Sequence, residues 1–313
     1  MLYSITARTH RKLATLAGAC SALSILLLPH AAPLLAETVP STFQERIDAA
    51  ARALEKEPRV GHLSLQQRQA LTEFVVGNML FVVAHELGHA AISEMNLPVL
   101  GGEEDAADSF AIITGLTIGT AFSHRVLVEA ARGWFLTDRR ETKEGEPLAC
   151  YDEHGLNKQR AYQIVCLMVG SDPTEFKDLA EETKLPEDCQ ASCRRDYRVA
   201  SRSWDAVLKP HLHAAEKKTP IEVAYDEGKG DLALFARTFR DIGFLEAIAA
   251  RAAEKLDWNG PLGLKMRSCG EVNAYWNKPD RTVHICYEMA QEFAQLYRDY
   301  GPDRKFFKQK RSQ

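Results

Sequence analysis

The 313-residue sequence contains no internal repeat and no low-complexity tract, so nothing in it marks a stacked-repeat architecture or a compositionally biased segment. It also lacks Lys/Arg clusters of the kind a nucleic-acid footprint needs. With a formal net charge of −4, it is a poor candidate for binding nucleic acid. Beyond the first 36 residues, no stretch reads as long and apolar enough to span a bilayer, so no stable membrane span is expected once that segment is removed. Cysteine is sparse, with seven in all.

The first 36 residues read as a secretory signal. Arg8, Arg11 and Lys12 form a basic n-region, Leu13 to Leu28 an apolar h-region, and Leu34-Leu35-Ala36 a cleavage site ending in a small residue. An uncleaved anchor is the alternative, but Pro29 and Pro33 argue against a continuous helix there. Cys20 invites a lipoprotein reading, which the Ala-Gly-Ala before it and the apolar run after it match poorly. The expected location is therefore exported, either periplasmic or secreted. Removing this segment takes away three basic and no acidic residues, so the net charge moves from −4 to −7. Six cysteines remain: Cys150, Cys166, Cys189, Cys193, Cys269 and Cys286. An even number in an exported chain suggests disulfides, with buried free thiols as the alternative.

Residues 37–313 suffice for one large domain or two lobes. Ser41-Thr-Phe-Gln44 and Ser64-Leu-Gln-Gln67 both have capping-box form and predict helices over about 42–56 and 65–95. Residues 103–136 read as helix, with a break at Gly115 or Gly119. The charged stretch Thr137–Pro147 reads as an exposed loop, and Lys158–Val169, Pro173–Thr183 and Asp196–Leu208 read as three more helices. The linker falls at 211–220. This gives a helical lobe over 37–210 and an α+β lobe over 221–313. In the second lobe, Ile221–Tyr225 and Asp231–Phe235 flank Glu-Gly-Lys-Gly as a hairpin. A helix follows over about 241–256, then a second hairpin over 262–287, and a last helix to about Tyr300 before a basic tail. The fold class is α+β, mainly helical, with a small sheet. A disulfide joining Cys269 to Cys286 is expected, because centring the hairpin on Asn277-Lys278 sets position 269 opposite 286. Among the other four cysteines, Cys166–Cys193 with Cys150–Cys189 is the preferred one of three pairings.

The chemistry centres on FVVAHELGHAAISEM. Residues four apart on a helix lie about 40° apart around its axis, so His85 and His89 share a face and present two imidazoles to one point. Glu86 sits at the edge of that face, where it reaches a metal-bound water without binding the metal. Phe81, Val82, Val83, Ala90, Ala91 and Ile92 imply that the helix is buried, where an unpartnered histidine pair is costly. The helix should stop near Asn96-Leu97-Pro98. After Gly101-Gly102, a second helix opens with Glu103-Glu104-Asp105-Ala106-Ala107-Asp108. Zinc held by two histidines needs a third protein ligand, and a carboxylate on a returning helix is one standard solution. Glu104 and Asp108 lie one turn apart and share a face. That spacing puts one carboxylate on the metal and the other behind it, able to accept the N–H of a liganding histidine.

HELGH followed by EEDAAD resembles the gluzincin metallopeptidases. More closely, the chain resembles a bacterial family described as metallopeptidases. The resembling stretches are FVVAHELGHA, LPVLGGEEDAAD, YDEHGLNKQRAYQIVCLMVGSDP, SRSWDAVLKPH and CGEVNAYWNKPDRTVHICYE. The resemblance implies a zincin-like fold and one Zn2+ per chain, with His85, His89 and Glu104 as ligands and Glu86 as general base. It also implies a peptide or protein substrate hydrolysed through a zinc-bound water. Glu103 is the fallback ligand, though no Asp lies four residues after it. His154, in Asp152-Glu153-His154, is a candidate donor to the oxyanion of a tetrahedral intermediate, as a non-ligand histidine is in some gluzincins, and Tyr162 is another. A loop histidine capping the next helix is the plainer reading of His154. Asn273-Ala274-Tyr275 and Thr282–Cys286 resemble the strand pair that walls the gluzincin cleft, but they follow the metal motifs instead of preceding them. One reading is a permuted zincin with this hairpin beside the helix of His85, its edge open to an extended peptide. The alternative function is a non-catalytic exported zinc-binding module that holds a peptide or protein partner.

Overall fold

The computed structural model describes residues 42–145, 155–212 and 219–301; the signal-like segment lies outside these. In chain order the elements are α1 (Phe43–Ala53), α2 (Leu65–Met95), α3 (Glu103–Ile118), α4 (Ala121–Glu144), α5 (Asn157–Ser171), α6 (Lys177–Glu182) and α7 (Glu187–Leu208). They continue with β1 (Ile221–Tyr225), α8 (Ala233–Ile242), α9 (Phe244–Lys255), β2 (Leu262–Arg267), β3 (Ala274–Asn277), β4 (Thr282–Cys286) and α10 (Tyr287–Tyr300). The fold is α+β and mainly helical, with one four-stranded sheet among the described residues.

Helix α2 is the axis. The Ser64 hydroxyl accepts from the Gln67 N–H while the Gln67 side chain accepts from the Ser64 N–H, so two otherwise orphaned donors are satisfied. At the other end Asn96 adopts the left-handed conformation, with φ of 50°, two residues before Pro98. Between these stops, α2 is apolar on nearly every face, because α1, α3, α4, α10 and strands β3 and β4 all pack around it. By length and composition alone this helix could cross a membrane, contrary to the expectation from sequence. Its apolar surface is instead buried inside the protein over 83% of the relevant window. Side chains from both halves of the chain share one core, including Phe74, Met79 and Val83 from α2 and Leu264, Val283 and Ile285 from the sheet.

Several local expectations shift. The first capping box is Thr42 with Glu45, not Ser41 with Gln44. The expected 103–136 helix is broken at Gly119, whose φ is 63°, and Thr120 caps α4 from there. Helix α4 then runs on through the charged stretch read as an exposed loop, as far as Glu144. Its charges are used: Arg140 pairs with Glu292 and Glu141 accepts from Asn157, so a polar sequence is held helical by tertiary partners.

The sheet departs further. Its order is β1-β2-β4-β3, with β1, β2 and β4 parallel and only β3 antiparallel to its neighbour. The 221–235 hairpin does not form. Residues 230–232 make a short 3-10 turn into α8, whose Ala236, Phe239 and Ile242 recur at helical spacing and are buried. A parallel β1–β2 pair needs a crossover, and α8 and α9 provide it. The helix expected over about 241–256 accordingly starts at Phe244, after Gly243 at φ of 65° has ended α8. In the second hairpin, Asn277 pairs with Thr282 and Tyr275 with His284, so the turn is centred on Pro279-Asp280, two residues beyond the expected Asn277-Lys278.

The Cys269–Cys286 disulfide nevertheless forms, for a different reason. Arg267 at the end of β2 lies beside Cys286 in the parallel β2–β4 pair, which brings Cys269 two residues later within a Cα distance of 5.4 Å. A second disulfide, Cys166–Cys193, ties α5 to α7 at 5.0 Å. Cys189 is exposed and holds no disulfide among the described residues, while Cys150 lies outside them. Two disulfides suit an oxidising compartment. Replacing Cys269 and Cys286 together by Ala is expected to lower the unfolding free energy by about 3 kcal/mol, the chain-entropy value for a loop of this size. Urea titration measures it; an unchanged midpoint would mean that the bridge adds nothing to the fold.

Candidate metal centre

The site begins with a close helix approach. A Cβ added at Gly88 would sit 3.0 Å from the Ala107 Cα and 3.3 Å from its carbonyl oxygen. Glycine in HELGH and alanine in EEDAAD are thus the contact at which α3 crosses α2. On one side of that contact His85 and His89 direct their Nε2 atoms at a common point, 3.2 Å apart. From α3, Glu104 meets them, with Oε2 3.1 Å from the Nε2 of His85 and Oε1 3.4 Å from that of His89.

Each imidazole also has a carboxylate behind it. The Nδ1 of His85 lies 2.8 Å from Oδ1 of Asp108, and the Nδ1 of His89 lies 2.9 Å from Oε1 of Glu103. Glu104 therefore faces the histidine pair while Glu103, the fallback ligand, stands behind His89. Asp108 is itself gripped by Arg160, through Nε to Oδ2 and Nη2 to Oδ1, both at 2.7 Å. Burial works against an ionised Asp108, but His85 and Arg160 outweigh it and hold the carboxyl down at about 2. Burial likewise works against a charged His85, yet the bonds from Asp108 and Glu104 raise it to about 9.

This trio fits a metal. The nitrogen and oxygen donors of His85, His89 and Glu104 all fall within 4.8 Å of one another. A tetrahedral shell with bonds of about 2.0–2.1 Å has edges of roughly 3.3–3.4 Å. The 3.2 Å between the two Nε2 atoms is close to such an edge; Glu104 turns a different oxygen to each histidine, Oε2 at 3.1 Å from His85 and Oε1 at 3.4 Å from His89. The carboxylates at both Nδ1 atoms favour the tautomer whose Nε2 lone pair faces the common point. Two imidazoles and a carboxylate suit Zn2+ better than Mg2+ or Ca2+, which prefer oxygen shells. Cys269, Cys286 and Glu288 also come close together, but the two sulfurs are bonded to each other, and Glu288 accepts from the Cys269 and Gly270 N–H groups.

Glu86 stands beside the trio. It is 8% exposed, and its Oε2 accepts from the backbone N–H of Trp276 at 3.0 Å. Burial raises its proton affinity above the ordinary carboxylate value, against the opposing pull of His85, His89 and that N–H. Strand β3, the edge of the sheet, is thereby fastened next to the HELGH face.

Other candidates separate. His154 lies outside the described residues; its neighbour Gly155 sits beside Asp105 in the first turn of α3. The Tyr162 hydroxyl is committed to the carbonyl of Thr183, and its ring packs edge-on against Phe135. His284 is buried in β4, bonded to Asp280 and stacked on Tyr275, in keeping with a packed strand residue. Sequence reasoning missed Arg160, the orienting position of Glu103 and the Trp276 N–H. Only the first left a signal: an arginine opening an apolar helix, since buried arginine calls for a partner.

The mainly helical α+β fold thus gathers two histidines and a glutamate that could hold a metal ion around one point, with the glutamate of an HExxH motif alongside. A family model described as “Putative metallopeptidase” matches residues 44–208 and 227–312, and the chain belongs to that family. Membership points to a peptidase that uses a metal and acts on peptides or proteins. No curated protein and no solved structure matches the chain.

The Gly88 contact gives a signed expectation. Gly→Ala in a helix interior gains about 1 kcal/mol of propensity, while overpacking a tight contact costs about 1–3 kcal/mol. The obstructing atoms at Gly88 are the backbone and Cβ of Ala107, none of which can swing aside, so overpacking should win and Gly88→Ala should lower the melting temperature. A more stable Gly88→Ala variant would show that the helices are free to separate there.

Proposed function

We propose that this chain is an exported, gluzincin-like zinc metallopeptidase in which His85, His89 and Glu104 hold one Zn2+ and Glu86 is the general base. The observation that carries the reading is the convergence of one donor atom each from His85, His89 and Glu104 within 4.8 Å, beside a buried Glu86 whose proton affinity is raised, in a member of a metallopeptidase family. Zinc there would supply a Lewis acid that acidifies a coordinated water and polarises the scissile carbonyl. The Glu86 carboxylate takes the proton of the attacking water and returns it to the leaving amine. Its burial suits both transfers, because a base poised nearer neutrality accepts and donates with similar ease. Asp108 and Glu103 orient the two imidazoles, and His154 is proposed as the donor to the developing oxyanion. The sheet edge and the base share one wall, since the Trp276 N–H pointing away from β4 is the one that reaches Glu86. An extended peptide would lie along that edge. Export, to the periplasm or beyond, is supported by the two disulfides.

Glu86→Gln should keep stoichiometric zinc and lose hydrolysis of a peptide library by about 10²–10⁴-fold, whereas Glu104→Gln should lose zinc. Elemental analysis and turnover on the same preparations decide this. Full activity in Glu86→Gln removes the general base, and zinc without any turnover in the native chain favours the binding-module alternative.

The raised His85 value sets a pH dependence. Below about 9 the metal-free His85 carries the extra proton, and a metal ligand must be deprotonated. Zinc uptake at pH 7 should therefore release about one proton from His85, and apparent affinity should climb with pH until it levels near 9. Calorimetry in two buffers of different ionisation enthalpy reads the proton count; buffer-independent heats would contradict it.

A further inference from the structure

We propose that Arg160 is a positioning residue of the metal centre: its guanidinium fork fixes the plane of the Asp108 carboxylate, and Asp108 in turn fixes the His85 ring that presents Nε2. The inference rests on the metal-centre reading above and extends it to a residue outside both metal motifs. One side chain from each of four helices takes part: Trp134 from α4, Arg160 from α5, Asp108 from α3 and His85 from α2.

The geometry carries the argument. A carboxylate that accepts only from an imidazole can still rotate about its own axis and exchange its two oxygens. Asp108 cannot do so without breaking a bond, because Arg160 occupies both oxygens at 2.7 Å. Arginine makes such two-point grips, and lysine, a single point charge, does not. The guanidinium is held on its own flank by the face of Trp134, with 3.8 Å between its central carbon and the ring centroid. All three polar members are buried: Arg160 at 8%, Asp108 at 3% and His85 at 5% exposure. The grip is unequal between the two histidines, since Glu103 behind His89 is 54% exposed at its side chain. His85 is thus the ligand with a rigid backing. A plain staple explains the pair poorly, because a buried ion pair is often no better for stability than apolar residues of the same volume. Here the pair points at a ligand.

The test is zinc affinity of the full chain by competition with a chromophoric chelator, with thermal melting beside it. Arg160→Met should weaken zinc binding by about 10–100-fold, the usual scale for groups behind a metal ligand. Arg160→Lys should fall near Arg160→Met, and Glu103→Gln should lose less than either. If Arg160 works through Asp108, then adding Arg160→Met to Asp108→Asn should cost little beyond Asp108→Asn alone. That double variant leaves no uncompensated buried charge, so with Arg160→Lys it carries the comparison should Arg160→Met not fold. A Co2+-loaded Arg160→Lys protein should also show visible bands altered from those of the native chain. Melting lowered with zinc affinity unchanged, or losses that multiply in the double variant, would overturn the inference while leaving the metal centre intact. A native chain with no stoichiometric zinc would overturn both.

Discussion

The contact between Gly88 and Ala107 is the constraint on which the site depends. Two helices can approach this closely only where neither carries bulk, and a Cβ at Gly88 would press on the α3 backbone itself. At this separation a glutamate one turn before Asp108 reaches the histidine pair, and Asp108 reaches the far nitrogen of His85. A wider spacing would leave both carboxylates short. The glycine and alanine in the two motifs thus act through distance, and the charged residues depend on them.

Around that contact, charge alternates from the bundle interior outward. Arg160 meets Asp108, Asp108 meets His85, and His85 and His89 share Glu104, with Glu103 behind His89. Along this series Arg160, Asp108 and His85, all buried, each have an opposite neighbour, as a low-dielectric interior demands. The same order explains the opposed shifts of two neighbouring acids. Asp108, between two cations, is held ionised, whereas Glu86, facing strand β3 and only loosely opposed by the imidazoles, retains its proton more readily. The site extends beyond the helices because β3 is the antiparallel edge of an otherwise parallel sheet, and it turns the Trp276 N–H towards Glu86.

What was legible in the sequence follows from the range of the interactions involved. The bounds of α2 were readable because a capping box, a left-handed Asn and a following Pro act within a few residues. The shared face of His85 and His89 follows from the helical repeat alone. The charged run after Leu136 gave the wrong answer because its helix is held by Glu292 and Asn157, both remote in sequence. Strand pairing failed for the same reason. Nothing local says that Leu262–Arg267 pairs in parallel with Thr282–Cys286, or that α8 and α9 bridge β1 to β2. The Cys269–Cys286 pairing was right on a mistaken register, since antiparallel opposition and a parallel neighbour leave the two cysteines at similar separations.

By itself the sequence determined the α2 helix and its stops, the placing of His85 and His89 on one face with Glu86 at its edge, and the one-turn spacing of Glu104 and Asp108. All of these are set by the pitch of a single helix and by contacts no more than four residues apart. Only the tertiary structure decided that Glu104 and not Glu103 faces the histidines, that Arg160 grips Asp108, that β3 lies against Glu86 and that the sheet is mainly parallel. Those arrangements need two elements to meet at a given depth and rotation, which depends on close packing across the whole core and on no one segment's propensity.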